Sequence, residues 1–506
     1  MRVSLLIPIV STVLAAGTTH ADTSQFKVEK LQLPGRVLGV HAEDLNGDGK
    51  RDLTVVFAAG RPPSVQRKIA IYFDHGGDHA GAYGGQPDQV LDAPRAAAFI
   101  DFGDLDGDGK RALIYGDGRQ LAAFHLEAGG ARFESVARPV CKAPGLLAVP
   151  DDHDLPFFDV MRDWDGDGKW EILLPLTDGI AVYTRSGDGW ARAALLRIST
   201  RADYAIRAEE YEPRLRNFSA RATFVVPELL VGDYDGDGKP DLFAVLEDYL
   251  QIHKGGVGAT VFSPVPVARH FLGVRNEAET VRGAHVHTTV RDLDGDGVAD
   301  LVVNKIAGGL GQMRAQTGFY FGKKGGGFDP PSQMLQREGY AGALQFADLD
   351  GDGKLDLVMP HVSVGLADMA RVVLTKKMLI GWEARRNLGR KFSVDPETVK
   401  DLDFPVDYSQ LADIDGPYPS VAGDFNGDGK ADFVAANGAD QLGVWLGGGK
   451  SLIAADPKAL VSVAPSRFYL VTDLTGDKLA DLIVFYRSRE ALSGIVMVLR
   501  NTGRGW

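Results

Sequence analysis

Residues 233–242 read DYDGDGKPDL, and the chain carries eight versions of that phrase. The first is DLNGDGKRDL at 44–53 and the fifth DLDGDGVADL at 292–301. The copies begin at Asp44, Asp104, Asp163, Asp233, Asp292, Asp348, Asp424 and Asp473, at intervals of 60, 59, 70, 59, 56, 76 and 49 residues. Each is an acidic, glycine-punctuated loop of nine residues built on the pattern D-x-[DN]-G-D-G-x-x-D, from which the second, third and eighth copies depart.

Oxygen-bearing side chains stand at positions 1, 3, 5 and 9, and position 7 offers its main-chain carbonyl. These positions are Asp44, Asn46, Asp48, Lys50 and Asp52 in the first loop, and Asp104, Asp106, Asp108, Lys110 and Ala112 in the second. They are Asp163, Asp165, Asp167, Lys169 and Glu171 in the third, and Asp233, Asp235, Asp237, Lys239 and Asp241 in the fourth. The fifth has Asp292, Asp294, Asp296, Val298 and Asp300; the sixth has Asp348, Asp350, Asp352, Lys354 and Asp356. The seventh has Asp424, Asn426, Asp428, Lys430 and Asp432; the eighth has Asp473, Thr475, Asp477, Leu479 and Asp481.

Alternate oxygens on a tightly curled loop converge on a hard cation, and calcium takes six to eight oxygens. Magnesium prefers a smaller octahedral shell with retained water, and zinc would want His or Cys. Crowding three or four carboxylates into so short a loop is costly unless a cation neutralises them. Eight Ca2+ ions would carry sixteen positive charges against a formal net charge of −13, so the acidity belongs to the loops. Position 7 varies freely (Val298, Leu479), as a backbone ligand permits. Two loops depart most from the pattern. Ala112 removes a carboxylate from the second; Thr475 and Lys478 replace an acid and a glycine in the eighth. These two are expected to bind calcium weakest. A lysine at a glycine position that needs left-handed backbone costs about 1–2 kcal/mol.

An EF-hand would place a bidentate Glu at position 12, with helices on either side. Position 12 is Val55 in the first copy and Ala244 in the fourth. The flanks are short β-branched runs, LLVGD and DLFAVLEDYL around the fourth loop and TTVRD and DLVVN around the fifth, which read as strands. Strand, loop, strand at a period near 60 residues suits a four-stranded propeller blade.

These loops resemble those of the FG-GAP/VCBS-repeat β-propellers, the family that includes the integrin α-subunit head, and the resemblance covers nearly the whole chain after its N-terminal segment. It implies an all-β, eight-bladed ring in which the loop joins the first and second strands of each blade and binds structural calcium. AVYTRSGDGWARAALLRI and FYFGKKGGGFDPP each read as strand, glycine turn, strand. The last copy supplies only three strands, RFYLVTD, ADLIVFY and GIVMVLRN, while FKVEKLQL precedes the first blade. That early strand is expected to close the ring as the outer strand of blade eight, removing an open edge. Seven blades plus an irregular unit is the competing count. Insertions fall at about 192–225 and 361–415. In the second, Leu366, Met369, Ala370, Val373 and Leu374 recur at helical spacing, predicting a helix near 365–380 on blade six. Arg371, Lys376, Lys377, Arg385, Arg386, Arg390 and Lys391 surround it, as a solvated basic face or a docking patch for an anionic partner.

Residues 1–21 have a positive start, an apolar run from Val3 to about Ala16 and Thr19-His20-Ala21 at their end. They read as a cleaved secretory signal, placing the protein in the periplasm or outside the cell; a first strand or a membrane anchor is the alternative. Cys141 is the lone cysteine, so no internal disulfide supports the fold. An acidic chain does not favour nucleic acid, and no later segment is long and apolar enough to span a bilayer.

No nucleophile elbow, zinc-protease helix or phosphate-binding glycine loop occurs in the sequence. His285 and His287 precede the fifth loop on one strand and share a face; with His153, Asp154, Asp159 and Glu228 they mark the blade ends away from the calcium loops. The reading is a secreted calcium-stabilised propeller that binds a carbohydrate or protein partner. Some rhamnogalacturonan lyases are eight-bladed calcium propellers with similar loops, so the resemblance permits a polysaccharide lyase as the alternative, with His285 or His287 and an arginine at work.

Overall fold

The computed structural model describes residues 23–61, 64–76, 82–150, 154–187, 189–198, 201–208, 218–246, 249–272, 285–308, 313–342, 344–362, 365–375, 377–405, 419–438, 440–448, 451–487 and 489–506. The signal reading of 1–21 and the residues His153 and Lys376 lie outside them.

Eight antiparallel four-stranded sheets follow one another along the chain, at 36–92, 99–142, 161–196, 228–271, 285–338, 345–405, 420–461 and 468–501. They are blades one to eight. The first seven run in simple meander order. Blade eight takes its fourth strand from the N-terminus: Phe26–Gln32 pairs antiparallel with Ile495–Asn501, from Phe26 opposite Asn501 to Gln32 opposite Ile495. Backbone bonds continue the zip at both ends, Leu33 N–H to Gly494 O at 2.8 Å and Thr502 N–H to Gln25 O at 2.8 Å. The ring is eight-bladed and closed as the leftover strand predicts.

Side-chain patterning explains the stacking. Second strands are apolar on both faces, because each sheet is covered by a blade on either side. Asp52–Ala59, Glu171–Leu176 and Asp481–Phe485 are buried almost throughout. Fourth strands alternate, as Gln89–Asp92 and Gln333–Glu338 do, because one face meets solvent. The core is accordingly a set of eight clusters among the described residues, one in each cleft between neighbouring blades. Phe26 packs in the cleft between blades seven and eight, and Leu31 in that between eight and one. One N-terminal strand therefore seals two interfaces.

Insertions decorate this frame. Within 192–225, residues to Leu196 complete blade three, and Arg201–Ala208 pairs with Phe218–Val225 as a separate hairpin. The expected helix forms at Leu366–Thr375, between the second and third strands of blade six. Its neighbouring arginines are not a free basic patch. Arg385 is buried and bonds Glu383 at 2.8 Å, Arg386 bonds Glu397 at 2.9 Å and pairs with Asp350, and Arg390 bonds Asp329 at 2.9 Å. FYFGKKGGGFDPP turns the chain between two antiparallel strands as expected, but its last residues fall short of the second strand. After the strand Arg314–Tyr320 there is a single bridge, Gly322 to Phe328, and the fourth strand begins only at Gln333. Pro330 and Pro331 have no N–H to donate to a ladder. No helix among the described residues is long and apolar enough to cross a membrane.

Candidate metal centres

Each acidic loop leaves the first strand of its blade and enters the second. First strands contact one another at the junctions of blades two with three, four with five, six with seven and seven with eight, and the loops lie at one end of the blades' inner strands.

The fourth loop shows the local construction. Asp233 Oδ1 accepts from the N–H groups of Gly236 (2.7 Å) and Asp237 (3.2 Å), and its Oδ2 from Gly238 (2.6 Å). Asp237 Oδ1 accepts from Lys239 N–H at 2.9 Å. The curl requires positive φ at positions 4 and 6, where Gly236 has 76° and Gly238 82°. Lys478 takes position 6 of the eighth loop at φ 72°, so the strain anticipated there is present. Lys478→Gly is expected to raise stability by about 1 kcal/mol, measured by urea unfolding; a loss of stability would show that its side-chain contacts outweigh the strain.

Position 9 is the pin that joins loop to sheet. One oxygen accepts from the position-2 N–H in seven loops: Leu45 to Asp52, Trp164 to Glu171, Tyr234 to Asp241, Leu293 to Asp300, Leu349 to Asp356, Phe425 to Asp432 and Leu474 to Asp481. In six of them the other oxygen accepts from a residue at or just past the end of the third strand, as Asp241 does from Gly255 at 2.7 Å. Ala112 leaves the second loop without this pin. Adjacent loops are also laced together. The position-8 N–H of Arg51, Arg111, Ala299, Ala431 and Ala480 donates to the carbonyl of Leu474, Leu45, Asp233, Asp348 and Asp424 in the preceding loop, at 2.7–3.0 Å.

The donor set suits a hard cation. In loops three to six, one oxygen each from positions 1, 3 and 9 lies within 4.8 Å of the others: Asp163, Asp165, Glu171; Asp233, Asp235, Asp241; Asp292, Asp294, Asp300; Asp348, Asp350, Asp356. In loops one and seven the position-3 asparagines are held as the aspartates are. Asn46 Oδ1 accepts from Asp48 N–H and Asn426 Oδ1 from Asp428 N–H, both at 3.0 Å. Asp163 Oδ1 is buried with no hydrogen-bond partner, an arrangement a metal ligand explains.

Burial pushes the position-9 carboxyls up, outweighing the N–H groups that pull the other way. Asp356 and Asp432 rise to about 6, Asp52, Asp300 and Asp481 to about 7, and Glu171 to about 8. Metal-free folded protein therefore holds protons that the unfolded chain, with ordinary carboxyl values near 4, has already released. Its stability is greatest below about pH 4 with respect to these groups and falls as pH rises through about 6 to 8. Calcium-stripped protein is expected to melt at a higher temperature near pH 5 than near pH 8, and added calcium to reverse that order; thermal melts at both pH values check it.

The structure also places side chains that the loop pattern does not reveal. Lys254 Nζ lies 2.6 Å from both Asp235 oxygens, 2.7 Å from Asp237 Oδ2 and 3.8 Å from Asp241 Oδ1. Arg386 pairs with Asp350, and His125 Nδ1 lies 3.2 Å from Asp106 Oδ2. The remaining candidates scatter. His285 and His287 are exposed at the start of blade five's first strand. Asp154 pairs with Arg487 at 3.2 Å and Asp159 with Arg162 at 3.5 Å. Glu228 lines a cavity of about 710 Å³ in the axial channel with Thr288, Arg291, Gln345 and Lys430, from the inner edges of blades four to seven.

Fold and loops together define an eight-bladed β-propeller with an acidic loop in every blade. The FG-GAP-like repeat model matches residues 292–359, from the fifth loop through the second strand after the sixth. The matched repeat and the eight-bladed ring fit the FG-GAP/VCBS-repeat β-propellers. No curated protein matches its sequence. Among solved structures it is similar to an Agrocybe aegerita lectin described by its specific recognition of non-reducing terminal N-acetylglucosamine, at 15% identity over 95% of this chain and 97% of that one, TM-score 0.42. It is also similar to the V. cholerae biofilm matrix protein Bap1, at 15% identity over 94% and 91%, TM-score 0.33. A third is the NanB sialidase from Streptococcus pneumoniae, at 11% identity over 93% and 70%, TM-score 0.30.

Proposed function

We propose that this is an exported, calcium-stabilised propeller that acts as a binding scaffold for a carbohydrate or protein ligand. The calcium reading rests on the convergence of positions 1, 3 and 9 in successive loops and on the orphaned oxygen of Asp163. When bound, calcium would supply charge neutralisation to residues at positions 1, 3, 5 and 9 and draw the carbonyl at position 7 inward. The chain's own residues do the rest: position 9 ties each loop to its sheet, and the N–H lacing ties loop to loop. Calcium here is a part of the frame, and its carboxylates are committed to holding it.

The binding reading is carried by the axial cavity. Its volume of about 710 Å³ falls in the range of small-ligand sites, roughly 300–1,000 Å³. Glu228, Thr288, Arg291 and Gln345 on three strands, with Lys430 from the seventh loop, give it both donors and acceptors. A few polar groups fixed on strands around a concavity are what orient a polyhydroxylated ligand. The test is a glycan array followed by calorimetry with the best binder, comparing the wild type with Arg291→Ala. Tenfold or greater weakening in the variant is expected. A ligand that binds the two proteins equally places its site elsewhere. Following ultraviolet absorbance of unsaturated sugar products on acidic polysaccharides during the same incubations separates binding from lyase cleavage. Export is checked by N-terminal sequencing of the secreted protein, expected to begin at Asp22.

A further inference from the structure

One position in each blade lies directly across the second-to-third strand ladder from loop position 9. The pairings Leu53 with Tyr72, Leu113 with Phe124, Ile172 with Tyr183 and Leu242 with His253 place it at Phe73, His125, Thr184 and Lys254 in blades one to four. Leu301 with Tyr320, Leu357 with Arg385, Phe433 with Trp445 and Leu482 with Leu499 place it at Phe321, Arg386, Leu446 and Arg500 in blades five to eight. Every even-numbered blade has a basic residue there, and every odd-numbered blade has none.

In the even blades these groups enter the acidic loop or stand against it. Lys254 sits among positions 3, 5 and 9 of loop four, where a metal's ligands would converge. Arg386 holds position 3 of loop six, and His125 holds position 3 of loop two. Loop eight has Thr475 at position 3 and so no carboxylate at that position. Arg500 there turns to Asp74 of blade one at 2.7 Å. The two loops with defective ligand sets, those with Ala112 and with Thr475, are also both even. In the odd blades the same position is aromatic, aliphatic or hydroxyl. Among the described residues the nearest basic approach from another blade, Arg390 Nε to Asp294 in loop five, is 3.8 Å, and that arginine is bonded to Asp329. The position-7 lysines 169, 354 and 430 reach only the outer oxygen of position 5 in their own loops.

We propose that the loops are of two kinds alternating round the ring: one, three, five and seven take calcium, whereas two, four and six are closed by a basic side chain of their own blade and eight lacks a competent ligand set. The carboxylates of loops four and six then converge on an internal ammonium or guanidinium. A fixed cation neutralises the crowded carboxylates as a metal would, and it occupies the space and the lone pairs an ion needs. The protein takes four calcium ions in place of eight. This rests on the calcium reading above.

The experiment uses the protein without residues 1–21, stripped of calcium and titrated with calcium chloride by calorimetry, the bound metal counted by elemental analysis after dialysis. Four ions per chain are expected. Lys254→Met keeps the aliphatic stem and removes the charge; with a native circular dichroism spectrum it is expected to bind a fifth ion, and Lys254→Met with Arg386→Met a sixth. Six to eight ions in the wild type would overturn the alternation and leave the calcium reading standing. So would a folded Lys254→Met that binds no additional ion. No calcium bound at all would overturn both. The wild-type count decides the matter even where a variant does not fold.

Discussion

Stripping calcium from the protein is expected to lower its melting temperature by on the order of 10 °C or more. A ligand that binds only the folded state at a hundred times its dissociation constant stabilises by about 2.7 kcal/mol per site. Four such sites give on the order of 11 kcal/mol, and a large domain shifts by roughly 1–3 °C per kcal/mol. The local reason lies in the loops. Without a cation, positions 1, 3, 5 and 9 repel one another, and the buried position-9 carboxyls are held in a state that burial disfavours. The lacing of position-8 N–H groups to preceding loops spreads the disturbance from blade to blade. Differential scanning calorimetry with and without calcium measures the shift, and refilling with calcium should restore it. An unchanged midpoint would remove the structural role of the metal.

Breaking the ring at its seam is expected to cost about as much as any single change in the chain. Arg500 is 2% exposed and donates to Asp74 Oδ2 at 2.7 Å, across the junction of blades eight and one, with its guanidinium over the Tyr83 ring at 4.6 Å. Removing one partner of a buried pair leaves the other charge uncompensated, at about 3–5 kcal/mol. Arg500→Met is therefore expected to lower the unfolding free energy by about that much. Arg500→Met with Asp74→Leu is expected to recover most of the loss, since an apolar pair of similar volume is often as stable as a buried ion pair. Equilibrium urea unfolding of the two variants distinguishes the outcomes, and a single variant within about 0.5 kcal/mol of wild type would show that the seam does not depend on the pair. Deleting residues 23–33 goes further. It removes the strand that fills two inter-blade clefts and exposes an unpaired edge, and the truncated chain is expected to aggregate or to lose its cooperative transition.

Each acidic loop was legible in the sequence because its geometry is local. Asp233, Gly236, Gly238 and Asp241 lie within nine residues, and the hydrogen bonds that curl the loop run between neighbours three to five apart. The same holds for Lys478, whose left-handed backbone follows from its place in the phrase. The blade count and the closing strand followed from arithmetic on whole repeats: eight loops, three strands after the last, one strand before the first. The helix at Leu366–Thr375 followed from its apolar spacing.

Tertiary structure decided what enters the loops. Lys254 lies 13 residues beyond Asp241, but Arg386 lies 30 beyond Asp356 because a helix intervenes, and Arg500 lies 19 beyond Asp481. Turns of such different length hide a common column, which appears only when strand pairing sets the register. Arg500 and Asp74 are 426 positions apart and meet because the ring closes. The basic residues around the blade-six helix read as one patch along the chain, yet strand direction sends Arg385, Arg386 and Arg390 to separate acidic partners. Local phrases specify local curls. Which charge faces which depends on register and closure, and those arise only when all eight sheets stack.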